Sequence, residues 1–208
     1  MMRYFICILL AYLIGSLSPS ALIAKIKHVN LKKEGTKNLG ATNTAIVFGK
    51  KFGAVVMTFD IVKGFLAFKL ATWIVPEIEW LAMACGFAAI VGHCFPFYLK
   101  FKGGKGLAAF GGMVLAYNPI LFAFLLASAV ILLLIVNHSF IMPFYAGIAF
   151  TTFTMMTESN LLLLLCAVFS SSVLIAKHFT NLTQAIRGKD IKIRSYLKNI
   201  IFHSDNAD

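Results

Sequence analysis

The feature that most constrains this chain is a run of thirty consecutive residues, 107–136, that contains no charged side chain. Other apolar segments lie on both sides of it, and 60% of the 208 residues are hydrophobic while only 13% are charged. A helix that crosses a bilayer needs about 20 apolar residues, and an ordinary soluble domain does not have this composition. The sequence therefore predicts an all-α, polytopic membrane helix bundle that forms a single integral membrane domain over 1–208.

The positive charges are concentrated between the apolar segments. Seven, three and six of the 19 Lys and Arg lie in three segments, 25–51, 100–105 and 177–198. Because Lys and Arg favour the cytoplasmic side of a membrane, we predict cytoplasmic loops near 25–53 and 100–106 and a basic cytoplasmic C-terminal segment, 177–208. Nucleic acid is not expected as a partner, since the basic segments are loops between membrane spans.

The number of spans follows from this orientation. Hydropathy predicts spans over 4–24, 54–75, 80–99, 140–156 and 161–176, in addition to 107–136. An even number of crossings must separate two cytoplasmic segments, yet three candidate segments follow residue 106. Either 107–136 is two short helices split at Asn118-Pro119, or one later segment does not cross. These alternatives give seven or five spans, with the N-terminus outside and the C-terminus cytoplasmic in both.

A stretch rich in Gly and Lys, residues 92–106, connects two of the apolar segments. After Pro96 it contains Lys100, Lys102, Gly103, Gly104, Lys105 and Gly106. Lysines attract phosphate, and adjacent glycines allow backbone N–H groups to approach its oxygens. The stretch indicates an anion site near a membrane, and a flexible basic loop that touches lipid headgroups is the alternative.

Four further polar segments interrupt the apolar sequence. They are Gly15–Ser20, Glu34–Asn43, the pair Asp60 and Lys63, and the pair His178 and Asn181. A spacing of three residues puts each pair on one helix face, and Asp60 with Lys63 is interpreted as a structural ion pair. Each segment also has an ordinary structural explanation as a turn or a helix contact.

Taken together, these segments resemble the acyl-phosphate-dependent glycerol-3-phosphate acyltransferase family of bacterial inner membranes. The resemblance extends from Gly15 to about Asp190. It rests on Gly15-Ser16, Gly35 to Asn43, Asp60-x-x-Lys63-Gly64, Gly92-His-x-Phe-Pro96, Phe101 to Gly106, and His178-x-x-Asn181 with Gly188. It implies a small seven-span bundle in the bacterial cell membrane with its site at the cytoplasmic face.

The family's reaction moves a fatty acyl group from acyl phosphate to the 1-hydroxyl of glycerol 3-phosphate, giving lysophosphatidic acid and phosphate. The resemblance thus implies an enzyme of phospholipid synthesis whose partners are these two substrates and the lipid bilayer. It also implies handover of acyl phosphate from the enzyme that forms it. Neither a cofactor nor a metal is expected.

The resemblance assigns residues to this reaction. The positions implied to be catalytic are Thr36, Lys105, His178 and Asn181. The positions implied to bind phosphate or substrate are Ser16, Asn38, Thr42, Asn43, His93, Lys102, Gly103, Gly104 and Gly106. Lys105 would hold phosphate, His178 and Asn181 would position glycerol 3-phosphate, and either His178 or the leaving phosphate would accept the proton.

One departure from the family bears on function. The family usually places a phosphate-binding Arg three residues after Gly-Ala-Thr-Asn, and here that residue is Ile46. Lys50 or Lys51 could substitute if the loop folds back. A diverged member with weak or altered activity, or a lipid-phosphate binding protein, is therefore an alternative. A transporter is disfavoured, because the polar segments lie at one membrane face and no internal repeat is present.

Overall fold

The computed structural model describes residues 1–189 and Lys192. This part of the chain contains nine α-helices: α1 (Met2–Ser16), α2 (Pro19–Ile26), α3 (Ala41–Phe48), α4 (Lys50–Ile74), α5 (Glu79–Cys94), α6 (Leu107–Tyr117), α7 (Pro119–Val136), α8 (Ile141–Thr157) and α9 (Leu161–Ile186). A short 3₁₀ helix, Phe97–Leu99, follows α5. The predicted all-α bundle is confirmed.

The first apolar segment breaks between α1 and α2, as its small polar residues predict. Leu17 is extended, with ψ 123°, and the Ser18 hydroxyl accepts a hydrogen bond from the Ala21 N–H at 3.3 Å. Pro19 begins α2, where its missing N–H costs no helical hydrogen bond. The break leaves the Leu17 carbonyl free to accept a hydrogen bond from another helix.

The thirty-residue apolar run is two helices rather than one. Asn118 is extended, with φ −151°, and its Oδ1 accepts a hydrogen bond from the Leu121 N–H at 2.9 Å. Pro119 then starts α7 at the first helical position. The split at Asn118-Pro119 is therefore present. The number of membrane crossings stays a prediction.

Four segments of the described chain are both long and apolar enough to span a membrane: Met2–Ile26, Glu79–Leu99, Pro119–Val136 and Leu161–Ile186. Two apolar helices, Leu107–Tyr117 and Ile141–Thr157, are shorter. Together these segments make a multi-pass membrane protein.

Two predicted boundaries were wrong. The segment 25–53, predicted as a loop, contains α3, and α4 already begins at Lys50. The Thr44 hydroxyl donates to the Gly40 carbonyl at 3.0 Å, which holds the first turn of α3 together. The helix predicted over 161–176 continues ten residues further, to Ile186, because the polar face of α9 packs against the bundle at His178.

The helix α5 lies at the centre and packs against α1, α4, α6 and α9. Glycines bring these helices close together: a Cβ on Gly15 would lie 2.1 Å from the Ala89 carbonyl oxygen, and one on Gly92 would lie 2.2 Å from that of Tyr12. In the same way, Gly64 of α4 lies against the backbone of Ala109. Small residues permit such backbone contact between membrane helices.

The two ends of α5 mark the two ends of the bundle. Near Glu79, a cavity of about 310 Å³ is lined by Pro76, Tyr117 and Glu158, and the Tyr117 hydroxyl donates to Glu158. The ends of α4, α6 and α8 therefore meet at this end. Beyond Cys94, at the other end, lies the segment 95–106, which we term the glycine loop.

Candidate functional site

The glycine loop folds back onto the end of α5. Lys100 and Phe101 adopt positive φ angles of 56° and 57°, which reverse the chain. The N–H groups of Gly103 and Gly104 then donate to the carbonyl oxygens of Cys94 and His93, each at 3.1 Å. These two N–H groups are therefore engaged within the fold.

The next N–H groups along the chain differ. In the described part of the structure, the N–H groups of Lys105 and Gly106 donate to no acceptor. They lie where α6 begins, and Gly106 enters that helix with φ 89°. The start of a helix carries unpaired N–H groups and partial positive charge, so this position suits an anion.

The loop leaves no room for larger residues. A Cβ on Gly103 would lie 2.1 Å from the His93 carbonyl oxygen, and a Cβ on Gly104 would lie 2.2 Å from His93 Nε2 and 2.5 Å from the Leu39 carbonyl oxygen. The contact with Leu39 brings the segment 27–40, which we term the first loop, against the glycine loop. The predicted loops thus meet at one end of the bundle.

Lys105 connects the glycine loop to the end of α9. Its amine donates a hydrogen bond to Asn181 Oδ1. Burial lowers the pKa of Lys105, and the nearby charge of Lys177 lowers it further. Lys105 is therefore a half-buried cation. Its hydrogen-bond partner, the Asn181 carboxamide, is neutral and does not balance the positive charge.

His178 lies one turn before Asn181 on α9 and is buried. Its Nδ1 lies 2.9 Å from the Leu174 carbonyl oxygen. A carbonyl only accepts, so Nδ1 carries the proton when the ring is neutral, and Nε2 is the nitrogen that can accept one. Asn181, which holds the Lys105 amine, lies three residues after His178 on α9, so Lys105 and His178 meet at the same end of that helix.

Asn43 organises the first loop from the start of α3. Its Oδ1 accepts the Thr36 N–H at 2.6 Å, and its Nδ2 donates to the carbonyl oxygens of Leu31, Glu34 and Asn38 at 2.9, 3.2 and 2.9 Å. The side chain is buried, with 1% exposed. Since its polar atoms are engaged by loop backbone, Asn43 shapes the loop.

Asp60 and Lys63 form the predicted ion pair, with 2.6 Å between Oδ1 and Nζ. Two further contacts extend it. His93 Nδ1 lies 3.3 Å from the same oxygen, and Lys63 also donates to the Leu17 carbonyl at 2.8 Å. This buried network joins the break between α1 and α2 to α4 and to His93, whose Nε2 faces Gly104.

Residues 5–188 match the family described as glycerol-3-phosphate acyltransferase. The chain belongs to this family. It is 34% identical over 188 residues to the glycerol-3-phosphate acyltransferase of Bacillus velezensis. These matched residues cover 90% of this chain and 96% of that protein. Identity and coverage are the same for the glycerol-3-phosphate acyltransferase of Bacillus subtilis.

The fold is also similar to two crystal structures of PlsY (YgiH), an integral membrane glycerol 3-phosphate acyltransferase. Its glycerol 3-phosphate form gives a TM-score of 0.85 at 29% identity, and its lysophosphatidic acid form gives 0.82 at 28%. Each likeness covers 91% of this chain and 95% of the other. The predicted family is confirmed.

The residues that the resemblance assigns are spread over several elements. Lys105 lies in the glycine loop, His93 and Asn181 lie against it, and His178 lies one turn before Asn181. Ser16 is buried where α1 meets α5; its hydroxyl donates to the Tyr12 carbonyl at 2.8 Å, and its own carbonyl accepts a hydrogen bond from the hydroxyl of Tyr98, in the glycine loop, at 2.7 Å. The other assigned residues of the first half, Thr36, Asn38 and Thr42, belong to the first loop and the start of α3; Thr36 and Thr42 are exposed and Asn38 is half-buried. Their roles stay predictions.

Two further lysines, Lys102 and Lys177, lie at this end of the bundle. Lys102 is exposed, and its charge, after the larger effect of burial, lowers the pKa of Lys32. Lys177 was missed by sequence reasoning, although it directly precedes His178. In the sequence, Lys177 is simply the first of six basic residues in the segment 177–198.

Proposed function

We propose that this protein transfers a fatty acyl group from acyl phosphate to the 1-hydroxyl of glycerol 3-phosphate, producing lysophosphatidic acid and inorganic phosphate. Family membership supports this activity, and nothing favours the diverged alternative over it. The observation that carries the proposal is the hydrogen bond between Lys105 and Asn181. It unites the glycine loop with the end of α9, so that cation, helix N-terminus and His178 form one site.

The reaction needs no covalent enzyme intermediate. Acyl phosphate is a mixed anhydride, and phosphate is a good leaving group. The 1-hydroxyl oxygen attacks the acyl carbon, the bond from that carbon to the phosphate oxygen breaks, and phosphate leaves with the electron pair. The hydroxyl proton goes to His178 Nε2 or to the leaving phosphate itself.

Both substrates carry phosphate, and the site offers two kinds of donor to it. The amine of Lys105 supplies a positive charge, and the N–H groups of Lys105 and Gly106 supply hydrogen bonds at the start of α6. Charge-assisted hydrogen bonds of this kind are roughly twice as strong as neutral ones. The 1-hydroxyl is thereby held near the acyl carbon, which removes much of the entropic cost of the reaction.

The site lies at the cytoplasmic face in this proposal, with the N-terminus outside and the C-terminal segment 177–208 inside. Residues 190, 191 and 193–208 of that segment lie outside the described residues. Acyl chains reach the site from the bilayer, and acyl phosphate arrives by handover from the enzyme that makes it. Because the anhydride supplies the driving force, the acyl group needs no further activation before the transfer.

The test is phosphate release from palmitoyl phosphate by purified protein, measured with and without glycerol 3-phosphate. We expect release to require the acceptor and to fall about a hundredfold in Lys105→Ala, as for the loss of one transition-state charge contact. Lys69→Ala, which removes a lysine near the other end of α4, should retain activity. Acceptor-independent release, or undiminished release in Lys105→Ala, would contradict the proposal. No release from folded protein would favour the diverged alternative, and recovery in Ile46→Arg would then identify the missing cation.

A further inference from the structure

Lys177 occupies a position on α9 that brings it to the same site. It lies four residues before Asn181, and residues four apart are neighbours on one helix face. Asn181 holds the Lys105 amine. Both lysines therefore lie at the same end of α9, and the charge of Lys177 lowers the pKa of Lys105.

The amine of Lys177 lies close to the first residue of the glycine loop. Its Nζ is 4.7 Å from the centre of the Phe95 ring. Phe95 directly follows Cys94, whose carbonyl oxygen holds the Gly103 N–H. The amine is thus placed beside the loop by its contact with the aromatic face rather than by a charged partner.

Within residues 1–189, Lys177 forms neither an ion pair nor a hydrogen bond through its amine. A contact with an aromatic ring satisfies only one side of an ammonium group and contributes less than an anion does. Two half-buried amines of like charge repel each other, and an anion between them turns that repulsion into attraction. The arrangement is therefore incomplete without a negatively charged ligand.

Two phosphate groups carry more negative charge than the amine of Lys105 alone balances. Two phosphate-bearing substrates must bind together, and Ile46 occupies the position at which the family usually has an Arg. Ile46 lies on α3 with 38% of its surface exposed and cannot bind an anion. Lys177 approaches the site from α9 instead.

We propose that Lys177 binds a phosphate group of one of the two substrates, beside Lys105, and supplies the charge that position 46 lacks. This inference rests on the proposed function. The side chain leaves the Phe95 ring and donates to a phosphate oxygen when substrate is bound. Its role is in binding, so its loss raises KM more than it lowers kcat.

The experiment varies each substrate in turn for Lys177→Gln, Lys177→Arg and the native protein. We expect Lys177→Gln to raise KM for either glycerol 3-phosphate or palmitoyl phosphate by about tenfold, the effect of losing one charge-assisted hydrogen bond. The substrate whose KM changes is the one whose phosphate Lys177 binds. Lys177→Arg should restore most of the affinity. The matched control is Lys69→Gln, because Lys69 is also half-buried and places its amine over a ring, 5.9 Å from the centre of Phe65, near the other end of the bundle.

A second measurement separates this inference from the proposed function, since it needs no turnover. Inorganic phosphate should raise the melting temperature of the native protein and of Lys69→Gln in detergent, but should raise that of Lys177→Gln much less. Such protection in a protein without acyltransferase activity would refute the proposed function and retain the anion site. Unchanged KM values together with unchanged protection in Lys177→Gln would overturn the inference. Lys177→Met, which keeps the aliphatic chain over Phe95, replaces the Gln variant if that variant does not fold.

Discussion

Lys105 differs from a surface lysine in two respects. Its amine is half-buried and held by Asn181, and a second lysine lies close to it. Burial and the charge of Lys177 both lower its pKa, so it loses its proton at a lower pH than an ordinary lysine does. A neutral amine no longer attracts phosphate.

This residue therefore predicts a pH dependence. The charged form of Lys105 is present below its pKa and is lost as the pH rises through it, so kcat/KM for glycerol 3-phosphate should decline on the alkaline side. The pH dependence of kcat/KM reports the free enzyme, and it is measured from about pH 7 to about pH 10, below the ordinary lysine pKa of roughly 10.4. In Lys105→Arg, which stays charged, the residual activity should show no such decline. An identical decline in that variant would assign it to another group.

The shape of the glycine loop before α6 depends on glycines, because a larger residue would not fit there. Gly103 and Gly104 place their backbone against His93 and Cys94, which directs the next N–H groups toward the open end of the bundle. The sequence predicts that these glycines give phosphate their own N–H groups. The structure instead engages those groups with α5 and leaves the N–H groups of Lys105 and Gly106 available.

A pair of glycine variants tests this element. A Cβ at position 103 would lie 2.1 Å from a backbone oxygen, whereas one at position 111 would meet nothing closer than the Phe122 ring at 3.4 Å. Gly103→Ala should therefore move the loop, cost about 1–3 kcal/mol of stability and reduce activity at least tenfold. Gly111→Ala, within α6, should be neutral or stabilise the protein by about 0.5–1 kcal/mol. Melting temperature and phosphate release measure both effects, and equal activity in the two variants would show that the loop tolerates the side chain.

The whole molecule has two distinct ends. The cavity near Glu79 lies where α4, α6 and α8 end, while the glycine loop, the first loop and the end of α9 meet at the other end. Between them, the buried network of Asp60, Lys63 and His93 links three segments of the chain. Breaking one partner of such a buried pair typically costs about 3–5 kcal/mol.

Cysteine labelling in intact cells tests the orientation. Lys33→Cys and Ser139→Cys should be protected from an impermeant maleimide, and Glu77→Cys should react. Ser139 decides between seven and five spans, because it lies outside if 107–136 crosses only once. The native cysteines provide the background: Cys7, Cys85 and Cys94 are buried and Cys166 is half-buried. Labelling of Ser139→Cys would contradict seven spans.

The sequence by itself determined the membrane class and the family, and it offered the split at Asn118-Pro119 as one of two alternatives. Apolar length, charge distribution and helix-breaking residues are local properties, so they are present in the chain before it folds. The ion pair of Asp60 and Lys63 was predictable for the same reason, since three residues on a helix set their distance.

Only the tertiary structure decided which groups meet. The contact of Lys105 with Asn181 joins residues 76 apart in the chain, and His93 joins the ion pair from a neighbouring helix. Lys177 was indistinguishable in the sequence from other basic residues of its segment, because its relevance depends on Phe95 and Lys105. Helix packing sets such distances, and no local spacing encodes them.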